Sequence, residues 1–306
     1  MEQTNLAGRV AIVTGAGDGL GKAEAIRLAA KGASVVINDI DERADEVAKE
    51  IIAVGGTAIG VQGDISQWNM GDELVNAAVD TYGSLDIVVN NAGIIRDTMI
   101  FNLEESQWDT VLNVHLKGHA ALSRATAAYF RSKSKEIGGP INGRIINTAS
   151  EAGLMGSAGQ PNYSAAKAGI IALTLSTAQG LAKYGVTANA IAPRARTGMT
   201  SNAFAEDTAN RQLDSLSPER VARFVSYLAS DGASVINGNV FVVYSDFVAL
   251  LKPATVEHKF VASNDVFTEE ELAAQFSEHF AERSPYASFA AYNLAKLDNT
   301  GLTPVV

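Results

Sequence analysis

The strongest constraint on the fold is a rhythm that runs through the first 250 residues. Seven short, β-branched, mostly apolar runs occupy residues 10–14, 34–39, 58–62, 87–90, 144–148, 187–191 and 240–244. Longer patterns of helical period separate them, at 20–31, 44–54, 68–82, 108–131, 163–184 and 218–229. Runs that stay apolar instead of alternating suit strands covered on both faces. Strand and helix in regular succession predict an α/β fold, a doubly wound parallel sheet of seven strands.

Two segments break the rhythm. Residues 131–142 (RSKSKEIGGPIN) are polar and carry Gly and Pro, which predicts a surface loop after the preceding helix. Beyond the last strand lies a C-terminal tail, 252–306, so the expected division is a domain of 1–251 and this extension. In the tail Thr268 and Glu271 have capping-box spacing, and Leu272, Phe276 and Phe280 then share one helical face. That face is expected to pack on its own subunit or to reach a neighbouring one.

Composition removes several function classes. The 306 residues include no cysteine, which excludes disulfides, thiolate metal sites and thiol catalysis. A chain of this length buries a core large enough to need no metal or disulfide staple, and no metal ligands are assigned. A net charge of −10 argues against a nucleic-acid surface, since phosphates attract clustered Lys and Arg. It leaves room for a local cationic pocket facing an anionic small molecule. No stretch reaches the roughly 18 apolar residues of a membrane span. Met1-Glu2-Gln3-Thr4-Asn5 lacks the basic and apolar regions of a signal peptide, so the expectation is a cytoplasmic protein.

Between the first strand and the first helix stands Thr14-Gly15-Ala16-Gly17-Asp18-Gly19-Leu20-Gly21. A strand entering a glycine-rich turn and then a helix lets backbone N–H groups approach a pyrophosphate at the helix N-terminus. Turns collect glycine anyway; the position at the head of a βαβ unit makes this a Rossmann-type signature. Asp39 ends the second run, 18 residues after Gly21. A carboxylate there accepts hydrogen bonds from an adenosine ribose and repels a 2′-phosphate. Its alternative is a cap for a helix starting near Asp41. With no Lys or Arg in the loop and Asp18 adding negative charge, NAD is expected over NADP.

The spacing Gly15-x-x-x-Gly19-x-Gly21 resembles that of the short-chain dehydrogenase/reductase family, and the resemblance extends over roughly residues 6–250. It implies that Asp64-Ile65 contacts adenine and that Asn90-Asn91-Ala92-Gly93 supports the sheet and borders the cofactor. It also implies a homodimer or homotetramer.

Tyr163 and Lys167 form a Tyr-x-x-x-Lys pair, which a helix places on one face. The pair alone means little, because Tyr129/Lys133 and Tyr292/Lys296 repeat it. Only Tyr163 has a serine, Ser150, 13 residues earlier at the end of a strand; the other two have Leu116 and His279 there. Oxidation of an alcohol needs a base for the hydroxyl proton, and a tyrosine with its ordinary pKa near 10 is a poor one. A neighbouring ammonium and the positive nicotinamide ring both stabilise the phenolate, so Lys167 supplies one of the charges that activate Tyr163 while Ser150 orients the substrate oxygen. By resemblance, Asn113 in the Asn113–Gly118 segment (NVHLKG) holds a water that relays protons to Lys167. The resemblance further implies that Pro193 and Thr197 border the nicotinamide, although Arg194 replaces the glycine the family carries after that proline.

The segment between Thr197 and Ser217 is expected to be a short substrate lid. Residues 91–97, 114–118, 160–167 and 238–243 resemble the (3R)-hydroxyacyl-CoA dehydrogenase domain of multifunctional enzyme type 2 and actinobacterial steroid-catabolic relatives. The resemblance implies an acyl-CoA substrate, with Arg96, Lys117, Arg194 or Arg196 near its phosphates. The alternatives are a hydroxysteroid dehydrogenase acting on a free sterol, a 3-oxoacyl-carrier-protein reductase, and an NAD-binding scaffold without turnover.

Overall fold

A computed structural model describes residues 4–198, 213–252 and 254–282. All seven apolar runs are strands: β1 Val10–Thr14, β2 Ser34–Asp39, β3 Thr57–Gln62, β4 Ile87–Asn90, β5 Gly143–Thr148, β6 Val186–Pro193 and β7 Val240–Tyr244. They pair in parallel in the order β3-β2-β1-β4-β5-β6-β7. The sheet has an eighth strand, however, β8 Phe247–Leu250, antiparallel to β7. Tyr244 pairs with Phe247, leaving a two-residue turn in which Ser245 takes a φ of 52°. Such turns are usually marked by Gly or Asn, which accept positive φ; Ser245-Asp246 hides the hairpin from sequence reasoning.

The helices are α1 Gly19–Ala30, α2 Arg43–Ala53, α3 Met70–Tyr82, α4 Glu105–Leu112, α5 Gly118–Ile137, α6 Glu151–Met155, α7 Pro161–Leu181, α8 Pro218–Leu228 and α9 Glu269–Phe280. Along each central strand, alternate residues enter different cores. Ala11, Val13, Val35 and Ile37 meet α1, α2 and α8, whereas Val10, Ile12 and Val36 meet α3, α5 and α7. Two apolar faces per strand explain the continuous runs.

Residues 131–142 are not one loop. Helix α5 continues to Ile137, and Gly138 ends it in the left-handed conformation with φ 69°. Most polar residues of its last turns face water, while Ser134 is buried and donates to the Gly139 carbonyl, so polarity there does not mark the end of the helix. In the tail, Thr268 Oγ1 accepts from the Glu271 N–H at 3.1 Å and caps α9 as expected. Phe276 stacks on Phe260 with ring centres 4.1 Å apart, yet no residue of α9 is buried.

Helix α1 carries an unusual burden. Glu24 is fully buried, and neither carboxylate oxygen has a hydrogen-bond partner among the described residues. Burial pushes its pKa up to about 8. The folded state therefore holds a proton that the unfolded chain releases near pH 4.5. The stabilisation is complete below that value and is lost as pH rises towards 8, at up to about 1.4 kcal/mol per pH unit. Glu24→Gln removes this dependence. Urea midpoints at pH 5.5 and 7.5 should show the variant gaining on the wild type as pH rises; parallel values would contradict the assignment.

Candidate active site

The strand order reverses direction between β1 and β4, and an open α/β sheet has a crevice there at the carboxyl ends. A cleft of about 410 Å3 occupies that position. Gly15, Asp18, Gly19 and Leu20 form one wall, Asp39, Asp64 and Ile65 one end, and Asn91, Ala92 and Gly93 the floor. Ser150, Tyr163, Lys167, Pro193 and Thr197 line the remainder. Residues distributed over the first two-thirds of the chain thus meet in one cleft.

The glycine loop is held by hydrogen bonds and by the absence of side chains. Asn91 Nδ2 donates to the carbonyls of Thr14 and Gly15, both at 3.1 Å. A Cβ on Gly15, which has a φ of 60°, would lie 2.6 Å from Ala92 Cα. Gly17 and Gly21 lie outside the cleft lining. Any side chain on Gly21 would overlap the Gly15 carbonyl, and one on Gly17 would meet Arg43 and Asp39, so both permit close packing. Asp39 Oδ2 accepts from the Gly17 N–H and Oδ1 from the Ile40 N–H, each at 2.8 Å. Asp39 therefore faces the cleft and does not cap α2, whose cap position is Glu42.

At the other end, Ser150 follows β5 and caps α6, its Oγ accepting from the Ala152 N–H at 3.2 Å. Tyr163 lies in the first turn of α7, which starts with Pro161 at a favoured position. Asn162 fixes this turn, donating to the Arg96 and Gln107 carbonyls at 3.2 Å while accepting from the Tyr163 N–H. Lys167, one turn on, is buried, and its Nζ donates to the Thr148 carbonyl at 2.6 Å and stands 5.4 Å from the Tyr163 ring centre.

Charge at this end is controlled mainly by desolvation. Burial lowers the Lys167 pKa to about 7. Burial raises the Tyr163 phenol above its ordinary value, and the Ser150 hydroxyl only partly opposes this. Both groups lose water, and each desolvation disfavours the charged form.

Asn113 is not brought to the cleft. It is exposed at the start of a π-helical turn, Asn113–Lys117, between α4 and α5. The inward position belongs to His115, buried against the edge of the Tyr163 ring with centroids 5.2 Å apart at 90°. His115 Nε2 lies 2.9 Å from the Ile94 nitrogen and 2.7 Å from its carbonyl. Burial and the Lys167 charge hold His115 well below the ordinary histidine pKa, and the same causes take His119 down to about 3. Periodicity contained this signal: Val111, His115, His119 and Leu122 are all buried on one side, and a residue two positions earlier points about 200° away.

Of the two competing pairs, the one among the described residues lies away from the cleft. Tyr129 accepts from the Leu85 N–H, Lys133 pairs with Glu136, and neither lines the cleft. Tyr292 and Lys296 lie outside the described residues, as does most of the expected lid. None of Arg96, Lys117, Arg194 and Arg196 lines the cleft; Arg194 pairs with Glu151 and Arg196 with Asp214. A cation not anticipated from sequence does line it. Arg43 sits beside Asp39 at 3.7 Å, its fork held by Asp41 at 2.8 and 2.9 Å.

The family model of the short chain dehydrogenases matches residues 9–208, and the chain belongs to that family of oxidoreductases. It is 49% identical to the hydroxyacyl-CoA dehydrogenase ChsB1 of Mycobacterium tuberculosis, over 96% of this chain and 95% of that protein. It is 36% identical to the peroxisomal multifunctional enzyme type 2 of Mus musculus, over 80% of this chain but 33% of that protein. A crystal structure of a short chain dehydrogenase from Mycobacterium avium superposes with a TM-score of 0.82 at 42% identity, covering 92% of this chain and 97% of that one.

Proposed function

We propose that the chain oxidises a secondary alcohol to a ketone with NAD, and that the alcohol is a 3-hydroxyacyl-CoA. The observation that carries the reaction type is the convergence of Ser150, Tyr163 and Lys167 at one end of a glycine-walled cleft with Asp39 at the other. Similarity to ChsB1 across nearly the whole of both chains supports the acyl-CoA.

The residues present fit a dinucleotide. The wall at Gly15 and Gly19 offers backbone in place of side chains, and Asp39 meets the ribose end, where its carboxylate disfavours a 2′-phosphate. A bound nicotinamide would supply the acceptor for the hydride of the carbinol carbon and a positive ring that favours a phenolate. Ser150 Oγ holds the substrate oxygen, Tyr163 Oη receives its proton, and Lys167 supplies a positive potential and steadies the ribose. His115 keeps Tyr163 in place from the side, and burial and the Lys167 charge hold its own pKa well below the ordinary histidine value.

A direct test follows NADH absorbance with fatty and steroid 3-hydroxyacyl-CoA esters and free hydroxysteroids, supplying NAD or NADP. Turnover of an acyl-CoA with NAD at ten times or more the kcat/KM seen with NADP is expected, about 1.4 kcal/mol of discrimination. Reduction of a carrier-protein substrate with NADPH, without any acyl-CoA oxidation, would replace this reading by a reductase. NADH binding with no turnover of any alcohol would leave a scaffold.

A further inference from the structure

Arg194 occupies the place where the family resemblance calls for glycine, and the chemistry above does not use it. Its Nε donates to Glu151 Oε2 and its Nη2 to Glu151 Oε1, both at 2.6 Å. The two side chains are only 15% and 14% exposed. The same guanidinium lies 5.2 Å from the Tyr244 ring centre, and the Arg194 N–H donates to the Val243 carbonyl at 3.0 Å. Glu151 immediately follows Ser150 and opens α6. One side chain therefore ties the carboxyl ends of β6 and β7 to the turn that carries the Ser150 hydroxyl.

Such a tie has mechanical value because α6 has five residues, too few to hold a helix on their own. A two-pronged arginine–carboxylate pair is directional as well as strong, which a lysine in the same place would not be. We propose that Arg194 and Glu151 are a positioning pair that sets the Ser150 hydroxyl against Tyr163. Through Arg194 the setting also depends on the exit from β6, whose following residues Ala195 and Thr197 line the cleft. The kinetic consequence rests on the dehydrogenase reading; the structural consequence does not.

The test compares Arg194→Gly, Glu151→Gln, their combination, and Arg194→Lys. Each single neutral variant should lower kcat about tenfold or more by misplacing Ser150, with KM changed by less than about twofold. NADH affinity, read by fluorescence, should stay near the wild-type value. The combined variant should lose no more than the worse single one, because the interaction is absent in all three. Arg194→Lys, keeping the charge without the fork, should retain an intermediate kcat. Amide hydrogen exchange of Ala152 and Gly153 should quicken about tenfold, while amides of β1 and β4 keep their protection.

Losses that multiply in the combined variant, or unchanged exchange in Arg194→Gly, would overturn the pairing. Should Arg194→Gly or Glu151→Gln unfold, Arg194→Lys decides by the same exchange measurement: unchanged α6 protection with unchanged kcat rejects the proposal. If the wild type turns over no alcohol at all, the dehydrogenase reading fails, and local exchange still decides the pair.

Discussion

Replacing Tyr163 by phenylalanine is expected to lower kcat about a thousandfold while leaving the affinity for NADH unchanged. The substitution removes one oxygen and keeps the ring, so the edge contact with His115 and the packing of α7 persist. Lost proton transfer to a positioned base typically costs two to four powers of ten, and a thousandfold corresponds to about 4 kcal/mol of barrier. Single-turnover absorbance at 340 nm checks the rate, and fluorescence titration with NADH checks binding. A variant keeping more than a tenth of wild-type kcat would remove Tyr163 from the proton path. The corresponding change at Tyr129, which is tied to Leu85 and lies away from the cleft, should leave kcat unaffected.

Gly153→Ala is expected to lower kcat about a hundredfold although it meets only the backbone and Cβ of Lys167 and not its ammonium. Its added Cβ would lie 2.5 Å from the Lys167 carbonyl carbon and 2.6 Å from the Ala168 nitrogen. Those atoms belong to the backbone of α7 and cannot swing aside as a flexible side chain would. The short α6 must move instead, taking Ser150 with it, and a displacement near 1 Å at a reacting centre is worth about two powers of ten. Gly180→Ala provides the control. It lies in the same long helix with no atom within 4 Å of its Cβ, so activity should be unchanged and stability equal or better. Equal kcat values for Gly153→Ala and the wild type would show that α6 is not what sets the Ser150 position.

Much of this molecule is legible in one dimension. Most strands are legible because they are buried on both faces, which leaves a short apolar run; β3, at the sheet edge, is only partly buried. The glycine loop was visible because backbone conformation and close approach admit only glycine at several positions. The exit of α5 is ambiguous along the chain because exposure and chain reversal both select polar residues. Strand β8 carries no such mark, since its turn uses Ser245 at positive φ without a glycine. The family motif points to Asn113, whereas the helical phase turns His115 inward at that level.

By itself, the sequence determined which residues are chemically able to act. The serine 13 positions before Tyr163 distinguishes it from two equivalent pairs, and Asp39 ends the second strand where the sequence expects a carboxylate. These are local properties, carried by residue type and by spacing along one element or between neighbours. Only the tertiary structure decided which groups meet, how much water they keep and who holds them. Glu151 and Arg194 are 43 residues apart in the chain and 2.6 Å apart in space. Desolvation that brings Lys167 down to about 7 arises from the elements packed around α7, among them α4, α5, α6, β5 and β6. Contact and solvent exclusion are set by packing in three dimensions, and no pattern along the chain states them.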